Sequence, residues 1–245
     1  MNLKQSALKT FIFIFIVSGF TFAQTLETHF QNANKEYKNK NYEKALSIYT
    51  SIEKQGLSSS ELFFNIGNTY YRLNNLPIAI VYNERAYKLS PRNENIRHNR
   101  EFYNALTGQK YSIWHYILSS LSLNEAARIT FILYSLFFLT LFLSFKFYPR
   151  WLFWLKISSI CLGILFFLWT LAIYSTYSKL SAVVSKQDVN VYSGPNTENI
   201  VGFTVPLGRK VSVESISNDW IEIGMDEESL KGWIKSEDAV IISKD

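Results

Sequence analysis

The spacing of apolar residues changes character several times along the chain, and each change predicts a different element. Between residues 24 and 110 apolar side chains recur three or four apart, the spacing of one face of a helix. Ile129 to Phe145 and Ile157 to Ser178 then carry no charge at all, and the eleven residues between them hold Lys146, Arg150 and Lys156. A helix needs about 20 apolar residues to cross a hydrocarbon layer about 30 Å thick. Both stretches reach this with Ala126, Ala127 or the flanking aromatics, which predicts transmembrane helices over 123–147 and 157–178 with a turn at 148–156. From Asp188 onward the pattern is short alternation, which predicts strands at Val189–Val191, Val201–Val205, Lys210–Ser215, Trp220–Gly224 and Gly232–Ile234.

The polar residues around the two spans orient them. Residues 146–156 hold three cations and no acid, and cytoplasmic loops are enriched in Lys and Arg, so the turn is expected in the cytoplasm. At the other end of the chain, Lys4 and Lys9 precede an apolar run from Phe11 to Phe20 and the small-residue site Thr21-Phe22-Ala23. This predicts a signal peptide over 1–23, cleaved after Ala23 or retained as an anchor; either outcome delivers the following segment across the membrane. The two cues agree in placing both remaining segments, 24 to about 120 and 180 to 245, on the far side of the membrane. Trp151, Trp154, Tyr174 and Tyr177 stand where amphipathic rings favour the headgroup layer. Ser122-Leu123-Asn124-Glu125 predicts a capping box at the start of the first span, and the aromatic stretch 111–121 an interfacial segment.

Shifting the chain against itself by 34 residues aligns Ala33-Asn34 with Gly67-Asn68, Tyr37 with Tyr71, Ala45 with Ala79 and Leu46 with Ile80. That period belongs to helix-turn-helix repeats. In the second copy Phe63, Ile66, Gly67, Tyr70, Leu73, Ala79, Ala86 and Pro91 resemble the signature of the tetratricopeptide repeat. The first copy departs from it, with Ala33 for the glycine, His29 at the aromatic position and no proline near residue 57. The expectation is a repeat domain over 24–110, with copies at about 26–59 and 60–93 and a capping helix over 93–106, because two repeats alone leave an open apolar face. The resemblance implies that the concave face binds peptide segments of a protein partner. Asn34 and Lys38 align with Asn68 and Arg72, and residues four apart share a helix face. This donor-rich stripe is the candidate partner-binding site, suited to a backbone or a carboxylate.

Five or more strands in about 60 residues suggest a small closed barrel, since open edges so short would be unprotected. Asn190-Val191-Tyr192-Ser193-Gly194-Pro195, Pro206-Leu207-Gly208, Asp219-Trp220 and Gly232-Trp233-Ile234 resemble the bacterial SH3-like domain of envelope proteins, over 186–245. Tyr192 stands where that family commonly has Arg. The resemblance makes Tyr192, Trp220 and Trp233 candidate groove residues and implies a possible affinity for cell-wall peptides.

Charge and chemistry narrow the function. The formal charge of +5 conceals two opposite segments: 24–110 holds 12 Lys/Arg against 8 Asp/Glu, net +4, and 180–245 holds 6 against 11, net −5. An acidic barrel has no attraction for an anionic wall polymer, whereas opposite charges would draw the two segments together across the stems at Leu121 and Lys179. The basic charges interleave with acids and form no basic stripe, which speaks against nucleic acid. Cys161 is the only cysteine and lies in a span, so no intrachain disulfide forms; His29, His98 and His115 suit no common metal site, and no metal or cofactor is expected. A phosphate loop, a G-x-S-x-G elbow, H-E-x-x-H and paired Cys are all lacking, so a non-enzymatic protein is expected.

The order of signal, helical repeats, two spans and SH3-like domain resembles the BatE family of the Bacteroides aerotolerance group. The resemblance implies an inner-membrane protein of a Gram-negative (Bacteroidetes) envelope, partnered by von Willebrand A-type membrane proteins and a MoxR-type ATPase. Two functions follow as expectations: a scaffold holding partner proteins through its repeats, or a peptidoglycan-binding module that localises cell-wall enzymes.

Overall fold

A computed structural model describes residues 24–145, 150–225 and 228–242. The expected signal peptide lies outside the described residues, as do Lys146 and part of the turn. Eight helices precede seven strands among the described residues: α1 (24–38), α2 (Tyr42–Lys54), α3 (Ser60–Arg72), α4 (Leu76–Leu89), α5 (Glu94–Thr107), α6 (Ile113–Leu118), α7 (Leu123–Ser144) and α8 (Arg150–Ser178). The strands are β1 (Ser181–Val184), β2 (Val189–Tyr192), β3 (Val201–Val205), β4 (Lys210–Ser217), β5 (Trp220–Met225), β6 (Leu230–Lys235) and β7 (Ala239–Ile242).

The boundaries of α3 to α5 follow from local chemistry. Ser59 accepts from the Leu62 amide to open α3, Asn75 from Ile78 to open α4, and Asn93 from Asn95 and Ile96 to open α5. Pro77 sits in the first turn of α4, where a missing amide donor costs nothing. Between α3 and α4 the backbones nearly touch: a Cβ at Gly67 would lie 3.1 Å from the Ala79 carbonyl oxygen. The helices close on a core that includes Ala33, Tyr49, Ile52, Leu62, Phe63, Ile66, Ala86 and Ile96. Glu53 of α2 accepts from both Tyr82 (2.8 Å) and Arg85 (2.6 Å) of α4, and the Arg85 guanidinium lies 3.9 Å above the Phe63 ring.

α7 and α8 form an antiparallel pair and are long and apolar enough to cross a membrane. At about 1.5 Å per residue their 22 and 29 residues span roughly 33 and 43 Å. Ser122 and Glu125 form the expected capping box. α8 starts at Arg150, so Trp151, Trp154 and Lys156 ride on its first turns rather than in a connecting turn. The helices meet at Thr130 and Thr170, whose hydroxyls are 3.0 Å apart, and at Gly163 beneath the Tyr134 ring. Ser158, Ser159 and Thr170 each donate to a carbonyl of their own helix.

The sheet is antiparallel in the order β3-β2-β6-β5-β4-β1-β7. The five strands expected from alternation are β2 to β6. β1 and β7 are additional, and β1 begins at Ser181, ahead of residue 186. Closure into a barrel by paired edges does not occur among the described residues: β3 and β7 end the hydrogen-bonded order. β7 packs instead on α4. β1 explains the arrangement, because Ala182 and Val184 enter the sheet's own core while Val183 points the other way, into a second cluster with Ala79, Ile80, Val81, Tyr103 and Ile242. Helices and sheet therefore share a core at the end of the hairpin where α7 begins and α8 ends.

Candidate binding surfaces

The first surface belongs to α1, α3 and α5. Asn34 Oδ1 accepts from Tyr49 (2.6 Å) and from Asn65 Nδ2 (3.0 Å), and Asn68 Oδ1 accepts from Asn99 Nδ2 (2.6 Å). Asn65 and Asn99 are themselves 34 apart, so the same bond ties α1 to α3 and α3 to α5. The carboxamide oxygens of the two candidate asparagines are thus committed to the scaffold, which leaves their N–H donors for a ligand. Lys38 and Arg72 are exposed, and hydrogen bonding to Tyr37 raises the Arg72 pKa still further above its ordinary value. Two hollows flank the ladder. One, of about 230 Å³, is walled by Phe30, Phe64, Asn65, Asn95 and Ile96; the other, of about 300 Å³, by Tyr71, Arg72, Asn74, Leu76 and Leu106. Asn65 and Asn99 escaped the sequence reading, although the 34-residue shift that aligned Asn34 with Asn68 aligns them too.

The second surface is the outer face of β2, β5 and β6. Val191, Ile221, Ile223 and Ile234 point inward and are buried, which turns Tyr192, Trp220 and Trp233 to the other side, half-buried. Tyr192 meets Trp220 edge to face, centroids 5.4 Å apart, and pairs across strands with Trp233. Glu222 stands opposite Trp233 and accepts from Ser215 at 2.9 Å. The three residues named from sequence are therefore brought together on one sheet face.

A third constellation, which the sequence did not disclose, lies where helices and sheet join. Glu84 of α4 is buried and meets Arg100 of α5 at 2.7 Å and Lys210 of β4. The Arg100 guanidinium is held between the Tyr87 and Tyr111 rings, at 4.1 and 4.3 Å. Burial by itself pushes the Glu84 carboxyl up, but the charges and hydrogen bonds of Arg100 and Lys210 outweigh it and hold the group well below the usual carboxylate range. Burial likewise pulls Lys210 down, and Glu84 reverses the direction. Beside them Arg209 donates to the Gly108 carbonyl and, at 2.7 Å, to Glu228. Gln109 accepts from the Lys210 amide at 3.3 Å. Helical and sheet segments do meet, yet the ion pair that crosses between them runs against the net charges: the basic segment supplies the carboxylate, Glu84, and the acidic one the cation, Lys210. At contact distance and shielded from water, the Glu84–Lys210 attraction is strong and little screened by salt.

Among the described residues no group of three or more His, Cys, Asp or Glu side chains is placed to hold a metal ion. In comparison with known proteins, no family model matches the chain and no curated protein matches it.

Proposed function

We propose that this chain is a non-enzymatic adaptor of the inner membrane, whose helical segment is a periplasmic tetratricopeptide-repeat domain that holds partner envelope proteins. The observation that carries the reading is the repeated asparagine bond, Asn34 to Asn65 and Asn68 to Asn99. It sets two copies of one polar motif in a row, each followed one helical turn later by an exposed cation, Lys38 or Arg72. A periodic row of donors suits an extended peptide, whose carbonyls recur along its length. The basic loop and the predicted signal support a two-span topology with both soluble segments periplasmic. The order of segments supports a place in the BatE family, with von Willebrand A-type membrane proteins as partners. Because Asn68 also braces the scaffold, the clean test changes the exposed cations: Lys38→Ala with Arg72→Ala in the full chain, followed by recovery of crosslinked envelope proteins from membranes. Unchanged recovery removes this face from the interface.

A second reading rests on the aromatic face. Tyr192, Trp220 and Trp233 on an SH3-like domain suit flat or apolar parts of a wall peptide. Sedimenting the detergent-solubilised chain with purified peptidoglycan tests it; Trp233→Ala should abolish co-sedimentation, and failure of the parent chain to sediment ends this reading.

A further inference from the structure

Between the last turn of α8, the 109–112 segment and strands β1, β4 and β5 lies a cavity of about 190 Å³. Lys179, Arg209 and Lys210 line it, with the hydroxyl residues Ser112, Thr176 and Ser181, and no carboxylate lines it among the described residues. Its volume exceeds that of several water molecules, so a tetrahedral oxyanion fits.

The electrostatics favour an anion. The cations in and behind the cavity are Lys179, Arg209, Lys210 and Arg100, and the carboxylates beside them among the described residues are Glu84, Glu228 and Glu214, the last accepting from the lining Ser212. Four positive charges face three negative ones. Lys179 is exposed and, among the described residues, makes no hydrogen bond or ion pair.

Position gives the ligand's chemistry. Thr176 and Lys179 lie at the end of α8, the helix long enough to span a membrane, and on the two-span reading proposed above this puts the cavity at the level where a bilayer's headgroups begin. We propose that this cavity is a binding site for a phosphate group, carried by a phospholipid headgroup or free in solution. Phosphate oxygens accept several charge-assisted hydrogen bonds at once, which matches cations and hydroxyls converging from three segments. The site lies apart from the asparagine row and from the aromatic face, so it stands or falls independently of the adaptor reading.

The test uses the full chain in detergent and phosphate-free buffer, with thermal unfolding followed against three probes: inorganic phosphate, dihexanoyl phosphatidic acid and dihexanoylglycerol. A ligand of the folded state raises the midpoint in a saturable way. The expected result is saturable stabilisation by at least one phosphate-bearing probe and none by dihexanoylglycerol, with the apparent affinity about tenfold weaker in Lys179→Gln and the unliganded midpoint unchanged. A response to inorganic phosphate assigns the site to the free anion; a response to phosphatidic acid alone assigns it to a lipid headgroup. Stabilisation by neither probe, equal affinity in Lys179→Gln, or a rise that never saturates and is the same in both proteins overturns the proposal.

Discussion

Replacing Lys210 by Met asks whether buried charge holds the sheet on the helices. Methionine keeps the apolar stem and deletes the ammonium group. Glu84 is 4% exposed and then keeps only Arg100, which donates to Oε1 at 2.7 Å, while Oε2 loses its partner. Stripping a buried charge of its partner costs about 3–5 kcal/mol; with one of two cations remaining, about 2 kcal/mol is expected. At 1.4 kcal/mol per factor of ten, this raises the undocked population about thirtyfold. The loss falls on docking, because the sheet's own core of Ile221, Ile223 and Ile234 and the helical core around Phe63 do not include the pair. Amide hydrogen exchange on the full chain in detergent resolves the two. Exchange in β7 and in residues 108–111 should accelerate about thirtyfold while β5 and β6 keep their protection. Lys231→Met, which removes an exposed ammonium 3.9 Å from Glu214, is the control and should change nothing. Equal acceleration throughout the sheet, or none in β7, would refute the reasoning.

Three other outcomes follow from the same contacts. Glu84 is held below its ordinary 4.5, so its stabilisation is complete above that value and is lost as pH falls through the depressed folded pKa; Lys210 is raised above 10.5, so its share is complete below that value and lost only at higher pH. Docking should therefore be flat between about pH 5 and 10, and a transition in β7 protection near neutrality would contradict it. Gly208 has φ +78°, and a Cβ there would lie 2.8 Å from Thr107 Cγ2 and 3.1 Å from Ile80 Cδ1; Gly208→Ala should cost about 1–3 kcal/mol, seen as faster exchange at the same junction. Asn99→Ala removes the donor to Asn68 and should lower helical stability by about 1 kcal/mol, read from the circular-dichroism melt; an unchanged melt would show that the bond adds nothing.

The elements that could be read from sequence are those whose signal is local. Ser122 and Glu125 are three residues apart, so their capping box is legible without knowing what surrounds it, and an uncharged stretch such as 157–178 states its own solvent. β2, β5 and β6 were legible because one face is buried and the other is not, which imposes alternation. β1 was not, because Val183 docks on α4 while Ala182 and Val184 face the sheet, leaving no polar position to mark the pleat. The start of α8 at Arg150 was missed for a similar reason: charge and tryptophan marked the end of the apolar run, and helix continues past that mark since its backbone bonds are internal.

The sites divide along the same line. Tyr192, Trp220 and Trp233 came from spaced motifs, and strand pairing brings them together. For Asn34 and Asn68 the sequence established the repeat, and the fold decided that their oxygens brace neighbouring helices. By itself the sequence determined two apolar helices, a 34-residue helical period and an alternating C-terminal segment, since each depends on the order of neighbouring side chains. Only the tertiary structure decided that Glu84, Arg100 and Lys210 meet, across as many as 126 positions. No local periodicity carries such a contact. Its stability rests on attraction and hydrogen bonds between charges that the chain brings together only when it closes, set against the cost of taking them out of water.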